Sequence, residues 1–308
     1  MRSSLDLNVA QVQRATVLTR DEFEQDVVSR CQPMVLENLL AGSLRDWTLD
    51  HFAARAPRVP IAMDRRVRIH PSDASQRSVT VVRAQAYARG VTSQPTEYAG
   101  ASVRSALDDV SPGLAAQLAP RPFLGRTRLV AAELYSGLDY STAGHCHPKY
   151  HVLLCHTQGT KNVVLYPPSD ARFVYPHPVY TEEFATSRVD YFDFDSTAFP
   201  LLASGHRLVA RLVPGDALFL PVGYWHAVNA PGLTTSVSFC WLARTREQRS
   251  LRASVRNHVG WAISRGVEGL APSIGRWPGF ARAIVSRYHP TAAAAVRGDR
   301  ARTLDDDG

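Results

Sequence analysis

Apolar residues in the middle of the chain fall at alternate positions or in short unbroken runs. Residues 128–135, 150–156, 162–166, 207–213, 217–220, 224–228 and 234–241 are rich in Val, Leu, Tyr and Phe, and clusters of Gly, Pro, Asp and Asn separate them. Runs of this length and spacing predict the antiparallel strands of a sandwich or small barrel. The flanks carry other periods. Thr19, then Asp21 and Glu22, then apolar positions, predict a capped amphipathic helix over 19–28. Residues 33–40 predict a strand, and 43–52 a turn leading into a helix. Beyond Trp241, Arg246, Arg249, Arg252, Arg256 and Arg265 alternate with Leu251, Val255, Val259, Trp261 and Ile263. That is a helix with a basic solvated face and an apolar stripe that packs on the core or on a second subunit. The expected organisation is α/β elements over 1–126, a β-barrel core over 127–243 and a basic helical region over 244–308.

Within the core, residues 167–206 form a long connection containing Tyr175-Pro176-His177-Pro178 and an acidic-aromatic run from Asp190 to Asp195. Connections of that length inside a compact domain are functional loops or insertions, so this one is expected to cover the barrel mouth. With 308 residues, 45% of them apolar, the chain can bury a large core. Its net charge of +7 comes almost wholly from arginine, because Lys149 and Lys161 are its only lysines. No compact basic run or interleaved aromatic stripe accompanies the charge, which argues against nucleic acid as the partner. The four cysteines show no metal-type or secreted spacing, the first residues lack an apolar signal core, and no apolar stretch is long enough to span a bilayer. A soluble, cytoplasmic protein is the expectation.

The chemistry centres on histidine. Strand alternation puts His145 and His147 on one face and turns Cys146 to the other, where it packs. His226 follows a stretch punctuated by Pro214-Gly215-Asp216 and Pro221-Val222-Gly223, tight turns in which Asp216 serves as a cap. A third imidazole brought in from that distant strand would complete a three-ligand metal site. Lys161 stands out as a lysine in an arginine-using chain, a compact ammonium on a flexible stem.

Taken together, Ser141 through Pro148, Gly159-Thr160-Lys161, Tyr166-Pro167-Pro168, Tyr175 through Val179, Val189-Asp190 through Phe199-Pro200 and residues 214–226 resemble the cupin-like branch of the Jumonji-C oxygenases. Within that family the order of motifs is most similar to the type that hydroxylates an asparagine of hypoxia-inducible factor. The resemblance runs from about Pro33 to about Trp241. It implies a mainly β fold with flanking helices, a double-stranded β-helix (cupin or jelly-roll) barrel followed by C-terminal helices that form a homodimer. It also implies Fe(II), with 2-oxoglutarate and dioxygen as cosubstrates. His145 and His226 fall on two of the family's iron ligands, and His147 falls where the family has a carboxylate. Lys161 falls on the lysine that pairs with the distal carboxylate of 2-oxoglutarate. Thr142, Tyr98 and Ser238 fall on supporting contacts to the same cosubstrate, and His151 or Val152 lies near a family asparagine.

An imidazole in place of a carboxylate leaves a bound divalent ion one unit more positive and replaces a hard donor by a borderline one. The implied activity is hydroxylation of a C–H bond in a protein or peptide side chain or in a small metabolite. Two alternatives stand beside it: a three-histidine cupin dioxygenase or other metal enzyme that does not use 2-oxoglutarate, and a non-catalytic metal-binding module.

Overall fold

The computed structural model describes residues 9–16, 19–40, 44–66, 77–244, 247, 255–256, 259–260, 262–263 and 265–267. The strands are β1 (Val9–Gln11), β2 (Gln13–Ala15), β3 (Met34–Leu36), β4 (Pro60–Arg66), β5 (Arg77–Arg83), β6 (Ala101–Ala106), β7 (Leu129–Ser141), β8 (His145–Cys146), β9 (Tyr150–Gln158), β10 (Lys161–Tyr166), β11 (Arg207–Leu212), β12 (Ala217–Leu220) and β13 (Trp225–Leu242). Nine of them form a large sheet in the order β2-β3-β12-β9-β13-β7-β6-β4-β5. A smaller sheet faces it, in which β11 joins β1 to β10 and the start of β13 pairs with both β10 and β8.

Alternation along these strands sorts side chains into three cores. Between the sheets lie Val152 and Leu154 of β9, Leu218 and Leu220 of β12, Cys240 and Val228 of β13, Val163 and Leu165 of β10, and Leu212 of β11. This is the barrel interior. The opposite face of the large sheet, with Leu153, Phe219, Val237, Phe239 and Trp241, packs on Phe23, Phe52 and Tyr87 of the N-terminal helices and on Trp47 just before the second of them. Those helices begin where the sequence caps them. Thr19 and Glu22 form a reciprocal capping box, and the Thr48 hydroxyl accepts the His51 N–H at 3.2 Å to start the helix Leu49–Arg55.

The third core is built from residues 167–206 and the small sheet. Val174, Val189, Tyr191 and Leu202 of that segment bury themselves against Cys146, Val164, Tyr166, Trp225 and Ala227, the outward-facing residues of the small sheet. These residues of the segment therefore back the histidine-bearing strands. Its apolar residues need a partner face, and the outer side of the small sheet is the uncovered one. It even pairs with β8: Cys146 N–H donates to Ala185 O at 2.9 Å and Ser187 N–H to Gly144 O at 2.6 Å.

Two further differences concern strands. The runs 224–228 and 234–241 are one continuous strand, β13, in which Pro231 and Gly232 form a bulge between the pairs Ala230–Tyr140 and Leu233–Leu138. Proline has no N–H to contribute, and a bulge is where a strand can spare one. The N-terminal region also contributes more β-structure than expected, since β4, β5 and β6 extend the large sheet directly. Most of the C-terminal region, including the element expected to build a homodimer, lies outside the described residues.

Candidate metal centre

β8 is only two residues long, yet it is held on both sides. His145 pairs with His226 and Cys146 with Trp225 across the small sheet, and the 185–187 segment holds the other edge. Cys146 faces the outer core, where burial pushes its thiol up to about 12, so it is an inert packing residue. His145 and His147 face the other way. Their ring centroids lie 5.3 Å apart, and the His226 ring lies 4.2 Å from the first and 5.0 Å from the second. One nitrogen of each falls within 4.8 Å of the others, a spacing that lets a single ion touch all three.

The hydrogen bonds around the cluster prepare it for a cation. His145 Nδ1 donates to Ala143 O at 2.9 Å and His226 Nδ1 donates to Tyr224 O at 3.1 Å, because a carbonyl can only accept. Both rings therefore keep the proton on Nδ1 and present a bare Nε2 lone pair. Burial, and then the neighbouring imidazoles, lower His226 well below the usual histidine range and His147 to about 3. His147 and His226 are thus neutral at physiological pH, the state in which imidazole is a ligand. The His147 ring also lies against Tyr150, with centroids 5.0 Å apart, and its backbone carbonyl accepts the Gly223 N–H at 2.9 Å.

Lys161 opens β10 and faces the same interior, 2% exposed. Among the described residues no carboxylate lies within ion-pair reach of it. The Tyr140 ring lies 5.6 Å from Nζ to the centroid, and His156 is near enough to feel the charge. The turn before it is fixed by Gly159, at φ +78°, where a Cβ would come within 2.2 Å of Leu233 O. His156 completes the support: its Nε2 donates to Gly159 O at 3.0 Å and its Nδ1 accepts from Ser236 Oγ at 2.9 Å.

The remaining sequence-selected residues are placed as follows. Thr142 exchanges two bonds with Val228, two residues past His226: its N–H donates to Val228 O at 2.8 Å and its Oγ1 accepts the Val228 N–H at 2.9 Å. Ser238 is buried on β13 between Leu154 and Glu133, on the inner face of the large sheet. The Tyr98 ring packs on Gly90 and on Tyr87, with centroids 5.5 Å apart, whereas the tyrosine facing Lys161 is Tyr140. His151 points out of the barrel, between Phe219 and Trp241. Asp216 does cap its turn, accepting the Val213 N–H at 3.3 Å and an Arg14 N–H at 2.9 Å. Sequence reasoning missed Tyr140 and His156. Strand alternation on β9 was a usable signal for His156, which shares an inward face with Val152 and Leu154.

A two-sheet barrel with three convergent imidazoles on its inner face is the architecture of a metal-binding cupin. Residues 20–247 match the family described as Cupin-like domain, and the chain belongs to that family. Among curated proteins it is similar to Jumonji C domain-containing protein 5 of Drosophila melanogaster, 38% identical over 99 residues, which is 32% of this chain and 24% of that protein. It is also similar to lysine-specific demethylase JMJ31 of Arabidopsis thaliana, 35% identical over 94 residues, 30% of this chain and 17% of that one. The matched stretch thus spans a quarter or less of either relative. An X-ray structure of E. coli ycfD aligns over 83% of this chain and 60% of its own, with a TM-score of 0.49 and 16% identity. All four cysteines are free and buried, and among the described residues no helix is long and apolar enough to cross a membrane.

Proposed function

We propose that the protein is an Fe(II)- and 2-oxoglutarate-dependent oxygenase that hydroxylates a protein or peptide side chain or a small metabolite. The observation that carries this reading is Lys161, a buried ammonium with no anionic partner among the described residues, in the same barrel interior as a three-histidine cluster. A lone buried cation costs several kcal/mol unless something compensates it. A dicarboxylate reaching from the metal to Lys161 would do so.

His145, His147 and His226 would hold the ferrous ion, and Lys161 would take the distal carboxylate of 2-oxoglutarate. Thr142 keeps its hydroxyl proton free to donate while its oxygen accepts from Val228, so it can serve a carboxylate beside the metal. Ser238 is proposed as a further cosubstrate contact, with Tyr140, in place of Tyr98, as the tyrosine beside the ammonium. When bound, ion and cosubstrate supply dioxygen activation coupled to decarboxylation of 2-oxoglutarate to succinate, with one oxygen atom entering a substrate C–H bond. The chain's own part is to keep His147 and His226 neutral, aim all three imidazoles, and wall the site with apolar side chains. Three neutral ligands leave the ion its full +2 charge, which favours a dianionic chelator and also admits Zn or Cu. The names of the matched relatives, a lysine-specific demethylase among them, support a protein or peptide side chain as substrate. A cytoplasmic setting and a homodimer through the C-terminal helices are part of the same proposal.

Anaerobic reconstitution with Fe(II), followed by 2-oxoglutarate titration, tests the reading. The expected result is a visible charge-transfer band that saturates, with affinity in the roughly micromolar to millimolar range of ordinary enzymes. No band and no binding at millimolar cosubstrate would overturn it. His147 favours a second reading, a three-histidine cupin without 2-oxoglutarate, for which Lys161 is dispensable.

A further inference from the structure

Outside the barrel, on the far side of the large sheet, sits a buried ion-pair geometry that the proposed reaction does not use. His151 is fully buried and Glu247 nearly so. His151 Nδ1 accepts the Val222 N–H at 3.1 Å, so its proton is on Nε2, which donates to Glu247 Oε2 at 3.0 Å. The same oxygen accepts the Arg244 N–H at 2.7 Å, and the Glu247 carbonyl accepts from Cys31 Sγ at 2.8 Å. The ring is fixed in plane by Phe219 and Trp241, with centroids 5.4 and 5.6 Å away.

Val222 is the middle of the turn that delivers His226. The next residue, Gly223, donates its N–H to His147 O, and the one after it, Tyr224, offers the carbonyl that holds the His226 Nδ1–H. Three consecutive residues therefore connect His151 with the backbone of His147 and with the ring of His226. We propose that the His151–Glu247 pair is a positioning device for the metal centre, locking residues 221–224 so that His147 and His226 stay aimed at one point. It makes the segment after β13 part of the centre's geometry, although Glu247 lies on the opposite side of the large sheet from it. The inference rests on the metal reading above.

The test uses Co(II) alone, added to the full-length metal-free protein, with affinity and visible absorption spectrum as readouts and thermal unfolding of the apo protein as control. The double variant H151L/E247M replaces the buried polar pair by apolar residues of similar size, an exchange that commonly preserves or raises stability. It leaves the Val222 N–H without its acceptor. We expect an apo unfolding temperature at or above wild type, Co(II) affinity lower by about tenfold or more, and an altered spectrum. E247Q keeps an acceptor for His151 and is expected to retain wild-type affinity and spectrum, while E247A loses them. A folded double variant or folded E247A that binds Co(II) with wild-type affinity and spectrum overturns the proposal. An unfolded double variant assigns the pair to folding and overturns it equally. Failure of the wild-type protein to bind Co(II) would instead sink the metal reading on which the inference stands.

Discussion

Lys161→Met should move stability and cosubstrate binding in opposite directions. The side chain is 2% exposed and meets no carboxylate among the described residues, so in the metal-free protein its ammonium bears a desolvation penalty with no Coulombic return. The Tyr140 face, 5.6 Å from Nζ, gives back about 1 kcal/mol as a cation–π contact. Methionine matches the stem in length, fills the same space and removes the charge. Set against a penalty of several kcal/mol, the net gain for the apo protein is about 2 kcal/mol, or roughly 4 °C in Tm for a chain of this size. The cosubstrate should suffer the converse. A buried carboxylate deprived of its cation loses about 3 kcal/mol, near 100-fold in Kd. Differential scanning calorimetry of the apo variant gives the first quantity and anaerobic titration of the Fe(II) form with 2-oxoglutarate gives the second. A variant that is less stable than wild type and binds 2-oxoglutarate equally well would refute the reasoning, since Lys161 would then be a structural residue.

Two other expectations follow from the same interior. His147→Asp restores a carboxylate to the set and lowers the charge of the loaded site by one; competition titrations should show Fe(II) gaining on Cu(II) by about tenfold, consistent with the harder donor, and an unchanged preference would mean that His147 does not ligate. Burial first, and the nearby Lys161 next, hold His156 at about 4, below the ordinary 6.5. As pH falls from 6.5 towards 4, the unfolded chain takes up a proton that the native state refuses, so stability is full above 6.5 and is lost on acidification, by on the order of 3 kcal/mol for this group at 1.36 kcal/mol per pH unit. Urea unfolding of wild type and His156→Gln at pH 7.5, 6 and 5 checks this. The variant should lose less stability than wild type across that range, and parallel losses would count against the assignment.

The parts of this protein that the sequence disclosed are those governed by local periodicity. Alternation placed His145 and His147 on one face with Cys146 behind them, and Thr19 and Thr48 mark helix starts through their own side chains. What stayed hidden depends on partners far along the chain. β6 alternates in burial, yet its inward residues Ala101, Val103 and Ser105 are too small and too mixed to announce a core strand. The 167–206 segment had the composition of a packing layer, but nothing local says which face of the barrel it packs on. His151 and Glu247 are 96 residues apart, and neither stands in a motif. Pro231 looked like a strand break because the bulge that accommodates it exists only once β7 lies alongside.

β13 runs unbroken through both sheets, pairing with β8 and β10 near Trp225 and with β7 and β9 towards Leu242. The two sheets consequently have no seam between them. Parting them like a clam shell would mean unzipping the longest strand in the molecule, a cooperative event close to global unfolding. Traffic to the histidines therefore cannot rely on the two sheets parting.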